Sequence, residues 1–398
     1  MKRFIFAKMA CGLFLFCAAA TVSLTAQTLT TLGTFDGSNG ELPEFASLVQ
    51  NADGNVYGVT VEGGANGLGE IFQITSEGAF TTLYSFCSQP NCADGALPYA
   101  GLTHDNAGYL YGTTSQFGAN YYGTVFKITP AGSLTTLYNF CSQTNCADGA
   151  YPYAGLLYFG GNFYGTTSYG GAKNAGTIFK ITPAGQLTTL YSFCSQLNCA
   201  DGEFAYDAMI AANGKLWGTT QNGGANGFGT VFSVTPAGAL TTLHSFTDGA
   251  TAFGGLVHAA NGNFYGTTAA GGSRDDGTVF KMTATGTFTT IYNFCAAIDC
   301  PDGVSPFGGL VLGSNGIFYG TTAAGGSNFR GTIFEITPAG KLTTLYNFCS
   351  NTGCSDGQYP YSGLLRASSG DLYGTTQEGG DLSCDSPNGC GTVFSFLP

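Results

Sequence analysis

Charge is scarce in this chain: Asp, Glu, Lys and Arg make up 9 % of its 398 residues, with 12 basic side chains against 24 acidic ones. So few cations at a net charge of −12 exclude nucleic acid and anionic lipid as expected partners. Histidine occurs three times. His104 and His258 hold the same repeat position and His244 replaces a tyrosine in another, so no paired-histidine metal motif exists. Nucleophile elbows and phosphate-binding loops are missing too, and neither a cofactor nor a metal is expected. Long apolar runs are absent beyond residue 20. The one present, from Met9 to Ala20, falls short of the roughly 20 helical residues that a bilayer requires, so no membrane span is expected.

What stands at the start is a basic trio, Lys2, Arg3 and Lys8, then that apolar run, then small and polar residues leading to Leu24-Thr25-Ala26. This is the order of a secretory signal peptide. The expected division is therefore a signal over residues 1–26 and a single domain over residues 27–398, secreted or held at the periplasm or cell surface. Phe16 before Cys17 argues against lipid attachment. Removing three of the 12 basic residues leaves nine against 24 acidic ones, a net charge of −15.

Glycine is abundant at 63 residues and aromatics reach 14 %, a composition of short strands joined by tight turns. Beyond the expected signal the cysteines fall into local pairs: Cys87/Cys92, Cys141/Cys146, Cys194/Cys199, Cys295/Cys300, Cys349/Cys354 and Cys384/Cys390. Close pairs in an exported chain read as disulfides, and no histidine stands in register to turn them into zinc sites.

One unit recurs along the whole domain. Tyr-Gly-Thr-Thr or a close variant starts at Tyr57, Tyr111, Tyr164, Trp217, Tyr265, Tyr319 and Tyr373. Gly-Thr-Val/Ile-Phe or a variant follows each, from Gly69 to Gly391. A third motif, Leu/Phe-Thr-Thr-Leu/Ile, also occurs seven times but is shifted: its first copy, at Leu29, precedes every other motif, and none follows Phe394. Strand-forming residues between turn signals give four strands per unit, near 100–104, 109–114, 123–129 and 134–140 in the second unit. The expected fold is all-β, a seven-bladed β-propeller with four antiparallel strands per blade. The offset copy implies ring closure, with the N-terminal strand completing the last blade. An open stack would gain nothing from it, because both of its ends would remain unpaired edges.

The strings Asn162 to Thr167, Gly223 to Gly227, Gly123 to Gly132 and Leu187 to Phe193 resemble the GloVer tandem-repeat family of exported bacterial proteins. The likeness covers residues 28–397. It implies an extracellular or cell-surface repeat protein without an assigned activity, often with a C-terminal sorting anchor. This chain ends in Gly391-Thr-Val-Phe-Ser-Phe-Leu-Pro398, with neither an apolar helix nor a basic tail, so release is expected rather than anchoring.

Function is expected on the face that carries the loops into each blade and the loops between second and third strands. An Asp-Gly pair recurs in the leading loops at Asp36, Asp94, Asp148, Asp201, Asp248, Asp302 and Asp356. An aromatic follows before each first strand: Phe45, Tyr99, Tyr153, Tyr206, Phe253, Phe307 and Tyr361. These pairs and rings can be turns and inter-blade packing. They can also form a channel-mouth ring of carboxylates and aromatic faces suited to sugars or a cation. Unrepeated acids are Glu203 and Asp207 in the unit that holds the only Trp, with Glu62 and Glu378 in adjacent blades. The expected function is a binding or surface-interaction module, with extracellular glycans as the candidate partner. The alternatives are a carbohydrate-active hydrolase or lyase and a structural envelope protein.

Overall fold

In a computed structural model, residues 27–75, 77–247 and 251–398 are described. The expected signal peptide and Asp248 lie outside these. Seven sheets of four antiparallel strands are arranged as seven blades. The first blade runs Val49–Gln50, Val56–Thr60, Glu70–Ile74 and Phe80–Ser85. The seventh joins Leu365–Arg366, Leu372–Thr376 and Thr392–Leu397 to Thr28–Thr34 from the other end of the chain. Its closing ladder runs from Thr28 opposite Leu397 to Thr34 opposite Thr392. The offset third motif thus serves as the outer strand of the last blade.

The blades are held by packing between neighbours rather than within one sheet. Tyr57, Val59, Ile71 and Phe86 of the first blade region form one buried cluster with Leu102, Leu110, Phe126 and Ile128 of the second. Across the closure, Val393 of the seventh blade packs with Leu48, Val56 and Phe72 of the first. Second and third strands are buried on both faces, which is why they read as near-continuous apolar runs.

The glycine of Tyr-Gly-Thr-Thr answers a need within its own sheet. Gly112 pairs with Phe126 on the adjacent strand, and a Cβ at Gly112 would stand 2.5 Å from that ring and 2.9 Å from Leu102. The phenylalanine ring lies over the bare glycine backbone, and any side chain there would displace it. The constraint on this glycine comes from side chains of its own blade, not from a neighbouring sheet. The third and fourth strands share a register shift at equivalent positions, Ile71/Phe72 in the first blade and Val125/Phe126 in the second.

Both elaborate loop sets lie on one face, stitched by isolated bridges between them. Ala96 pairs with Gln116, Ala150 with Tyr169, Glu203 with Asn222, Val304 with Ala324 and Gln358 with Glu378. All six expected disulfides are formed, Cys87–Cys92, Cys141–Cys146, Cys194–Cys199, Cys295–Cys300, Cys349–Cys354 and Cys384–Cys390. Six disulfides point to an oxidising compartment. Among the described residues no helix is long and apolar enough to cross a membrane.

Candidate functional site

The aromatics preceding the first strands converge on the channel axis. Together they line a cavity of about 500 Å³ whose walls continue through the small residues and leucines that follow them, Gly101 and Leu102 among them. Ring centroids run 5.3 Å from Tyr99 to Tyr153, 5.4 Å to Tyr206, 6.2 Å to Phe253, 5.2 Å to Phe307, 5.1 Å to Tyr361 and 5.5 Å to Phe45. The circuit stays open between Phe45 and Tyr99. Six of the rings are half-buried and Phe45 is exposed, so they present faces and edges to the cavity. Burial raises the Tyr99, Tyr153 and Tyr361 phenols above their ordinary value, with further contributions from Glu44 at Tyr99 and Tyr361 and from Tyr99 at Tyr153.

The opening has a cause in the sequence. Pro43-Glu44-Phe45-Ala46 stands where the second blade has Pro98-Tyr99-Ala100, one residue longer. The extra residue puts Phe45 at a positive φ of 58°; Glu44 beside it is not among the residues lining the cavity, and Gln377 donates to its carboxylate at 3.0 Å. Burial, then Glu62, pushes Glu44 up to about 7.

Among the described residues, the aspartates of the Asp-Gly pairs do not join this ring. Asp94, Asp148, Asp201 and Asp356 are fully buried within their own loops. Asp148 accepts from Tyr138 Oη at 2.8 Å, from Ser142 N and Oγ at 2.9 Å each, and from Gln143 N at 3.2 Å. Asp94 and Asp201 follow the same scheme, Asp356 accepts from Tyr346 Oη and from the Ser350 and Asn351 amides, and Asp302 accepts from Tyr292 and from Cys295 N. Asp36 differs. It is exposed and accepts from Ser38 and Asn39, and these bonds, that from Ser38 first, lower its pKa. Glu41, bridged to Glu62, holds the place that Ala96, bridged to Gln116, holds in the second blade, so Asn39 and not Asp36 stands at the repeat position of the other aspartates. A combined carboxylate and aromatic ring is therefore not formed at the mouth: the aromatics line the cavity and these acids organise the loops.

One carboxylate does line it. Asp207, singled out as an unrepeated acid, follows Tyr206 and reaches the cavity wall, whereas Glu203 is engaged in a backbone bridge. Burial pushes Asp207 up to about 7 against the lowering effect of its bond from Ala208 N–H. Two other shifted acids were hidden by the repeat: Glu44 in its one-residue insertion, and Glu70, fully buried where other blades have threonine. Sulfur and carboxylate atoms cluster at Cys194, Cys199 and Glu203 and at Asp276, Cys295 and Cys300. Those sulfurs are in disulfides and offer no thiolate.

The repeat pattern is matched by a family model, that of the Gloeobacter/Verrucomicrobia repeat, three times over residues 19–157, 141–310 and 296–398. The chain belongs to that family. Comparison with curated proteins finds no match. Similar solved structures include a Bacteroides uniformis protein described as a candidate 6-phosphogluconolactonase, at 13 % identity and a TM-score of 0.49, covering 75 % of this chain and 83 % of that one. Another is a candidate glucose dehydrogenase from Thermus thermophilus, at 14 % identity and a TM-score of 0.46, covering 94 % of this chain and 100 % of that one. At such identities the likeness carries no activity over to the present repeat protein.

Proposed function

We propose that this repeat protein is an exported binding module that takes a saccharide in the central cavity of its loop-bearing face. In this reading residues 1–26 are the export signal and residues 27–398 the binding domain. The observation that supports it most is the near-complete circuit of seven aromatic rings around a cavity of about 500 Å³. Sugar rings present an apolar C–H face and a rim of hydroxyls, which aromatic faces and a few polar groups complement. A hydrolase on the same scaffold has weaker support. Glycoside hydrolysis ordinarily needs two facing carboxyls, and Asp207 is the only one among the residues lining the cavity.

A glycan array probed with the mature protein tests this reading, followed by calorimetry of the best ligand against Tyr99→Ala, Tyr153→Ala and Tyr361→Ala. Each substitution is expected to weaken binding at least severalfold while lowering the melting temperature by only a few degrees, because these rings are half-buried. Unchanged binding together with severe destabilisation would leave the rings as inter-blade packing only.

A further inference from the structure

Asp207 breaks the repeat at a single point of the channel wall. The residue after the ring aromatic is Ala46, Ala100 and Ala154 in the first three blades and Gly254, Gly308 and Ser362 in the last three. Only here is it acidic. Asp207 Oδ1 accepts the Ala208 N–H at 2.7 Å. Its Oδ2 is shielded from solvent and has no partner. The carboxyl reaches across to the next blade, where a Cβ on Gly255 would lie 2.9 Å from Oδ2. No Lys, Arg or His lines the cavity, and its other titratable groups are the phenols of Tyr99, Tyr153, Tyr206 and Tyr361.

A buried oxygen without a partner is costly unless something completes it. An alanine of the neighbouring repeats would remove that cost. We propose that Asp207 receives the ammonium group of a bound ligand, so that the saccharides preferred by this cavity are amino sugars with a free amine. This rests on the saccharide reading above and adds the ligand class. An ammonium pairs with the carboxylate through a charge-assisted bond and is attracted to the faces of the surrounding rings, two interactions that no neutral acetamide or hydroxyl makes together. The acidic surface of the chain favours arrival of the same ligands. Because burial holds the Asp207 proton up to about 7, an arriving ammonium displaces that proton to solvent below neutrality. The ligand keeps its own proton, and one proton is released per ligand bound.

The test is calorimetry of the mature protein at about pH 6 with a β-1,4-linked glucosamine disaccharide and its N,N′-diacetyl counterpart, in buffers of different ionisation heat. Wild type is expected to favour the free amine by about tenfold, the size of one charge-assisted bond, and to release close to one proton per ligand. Asp207→Asn is expected to erase both the preference and the proton release while retaining the diacetyl affinity. Asp207→Ala, which restores the residue of three other blades, gives the same reading in a background unburdened by a buried acid. Equal affinity for the two sugars, with sensitivity to Tyr153→Ala, would overturn this inference and leave the saccharide reading standing. Binding of neither sugar, in a protein that also fails across the glycan array, would overturn both.

Discussion

The phenol of Tyr138 donates to Oδ2 of Asp148 at 2.8 Å, and the bond recurs from Tyr84 to Asp94, Tyr191 to Asp201, Tyr292 to Asp302 and Tyr346 to Asp356. It ties the outer strand of one blade to the loop that leads into the next. Tyr138→Phe should therefore lower unfolding free energy by about 1–2 kcal/mol, between the net value of an ordinary hydrogen bond and that of one to a charged group. Asp148→Ala should cost more, about 2–3 kcal/mol, because it strands the Ser142 and Gln143 amides as well. Urea denaturation measures both. Equal losses for the two variants would mean that the phenol alone matters.

That network was readable in part, and its legibility shows where sequence reasoning stops. Each tyrosine precedes its aspartate by ten residues, and each such loop carries a cysteine pair. Where the cysteines are missing, the tyrosine is missing too: His244 stands before the fifth blade and Gly33 before the first. This co-occurrence marks a tyrosine, aspartate and disulfide as one loop-building unit, and it was the available signal that the aspartates face inward. Blade number, closure and the aromatic register were legible because they repeat or are offset by a countable amount. Side-chain direction in a loop was not, because a carboxylate that aims at its own backbone and one that aims at a channel have the same spacing. Asp207 could be singled out as irregular, but only the packing of the blades places it at the cavity while leaving Glu203 in a loop bridge.

Closure makes a prediction about the ends of the domain. Deleting Thr28–Thr34 leaves Thr392–Leu397 as an unpaired edge and strips Leu29 from the cluster it shares with Phe394 and Phe396. An exposed strand edge beside an opened core is an aggregation site. Size-exclusion chromatography and thermal melting of the truncated protein should show association and a drop of ten degrees or so, since both edges of the last interface are affected. A monomer with the melting temperature of the intact domain would contradict closure by this ladder.

The disulfides should add stability locally rather than create the fold. Mass spectrometry of the unreduced mature protein is expected to find twelve hydrogens fewer than in the thiol form, two for each of the six bonds. Each of the five regular bonds closes a loop between residues five apart. The chain-entropy argument values such a short loop at about 2 kcal/mol. Replacing Cys141 and Cys146 by serine should thus lower stability by about that amount and leave the far-UV spectrum unchanged. Global unfolding of this variant would assign the disulfides a larger role than loop staples.

Buried acids give the protein an unusual dependence of stability on pH. Burial pushes Asp207 up to about 7 from an ordinary 3.8, and Glu70 up to about 8 from 4.5, the latter only partly offset by its bond from Thr82. Glu44, at about 7, acts with the same sign. In each case the folded state holds its proton more tightly than the unfolded chain does. Between about pH 4 and pH 8 the native protein therefore binds more protons, and its stability falls as the pH rises, levelling off above the folded values. The full effect is on the order of 4 kcal/mol for each of Asp207 and Glu70. Both positions have a natural remedy within the repeat. Asp207→Ala restores the residue of the first three blades, and Glu70→Thr restores the threonine that in the second blade, as Thr124, pairs with Thr114 at 2.8 Å. Urea midpoints at about pH 5 and about pH 9 should fall with rising pH in the wild type and fall by less in the double variant, which keeps the Glu44 contribution and should be the more stable protein at the alkaline end. If the two proteins lose stability in parallel across that range, neither carboxyl is held protonated by burial, and the cost attributed to the unpartnered oxygen of Asp207 would have to be withdrawn.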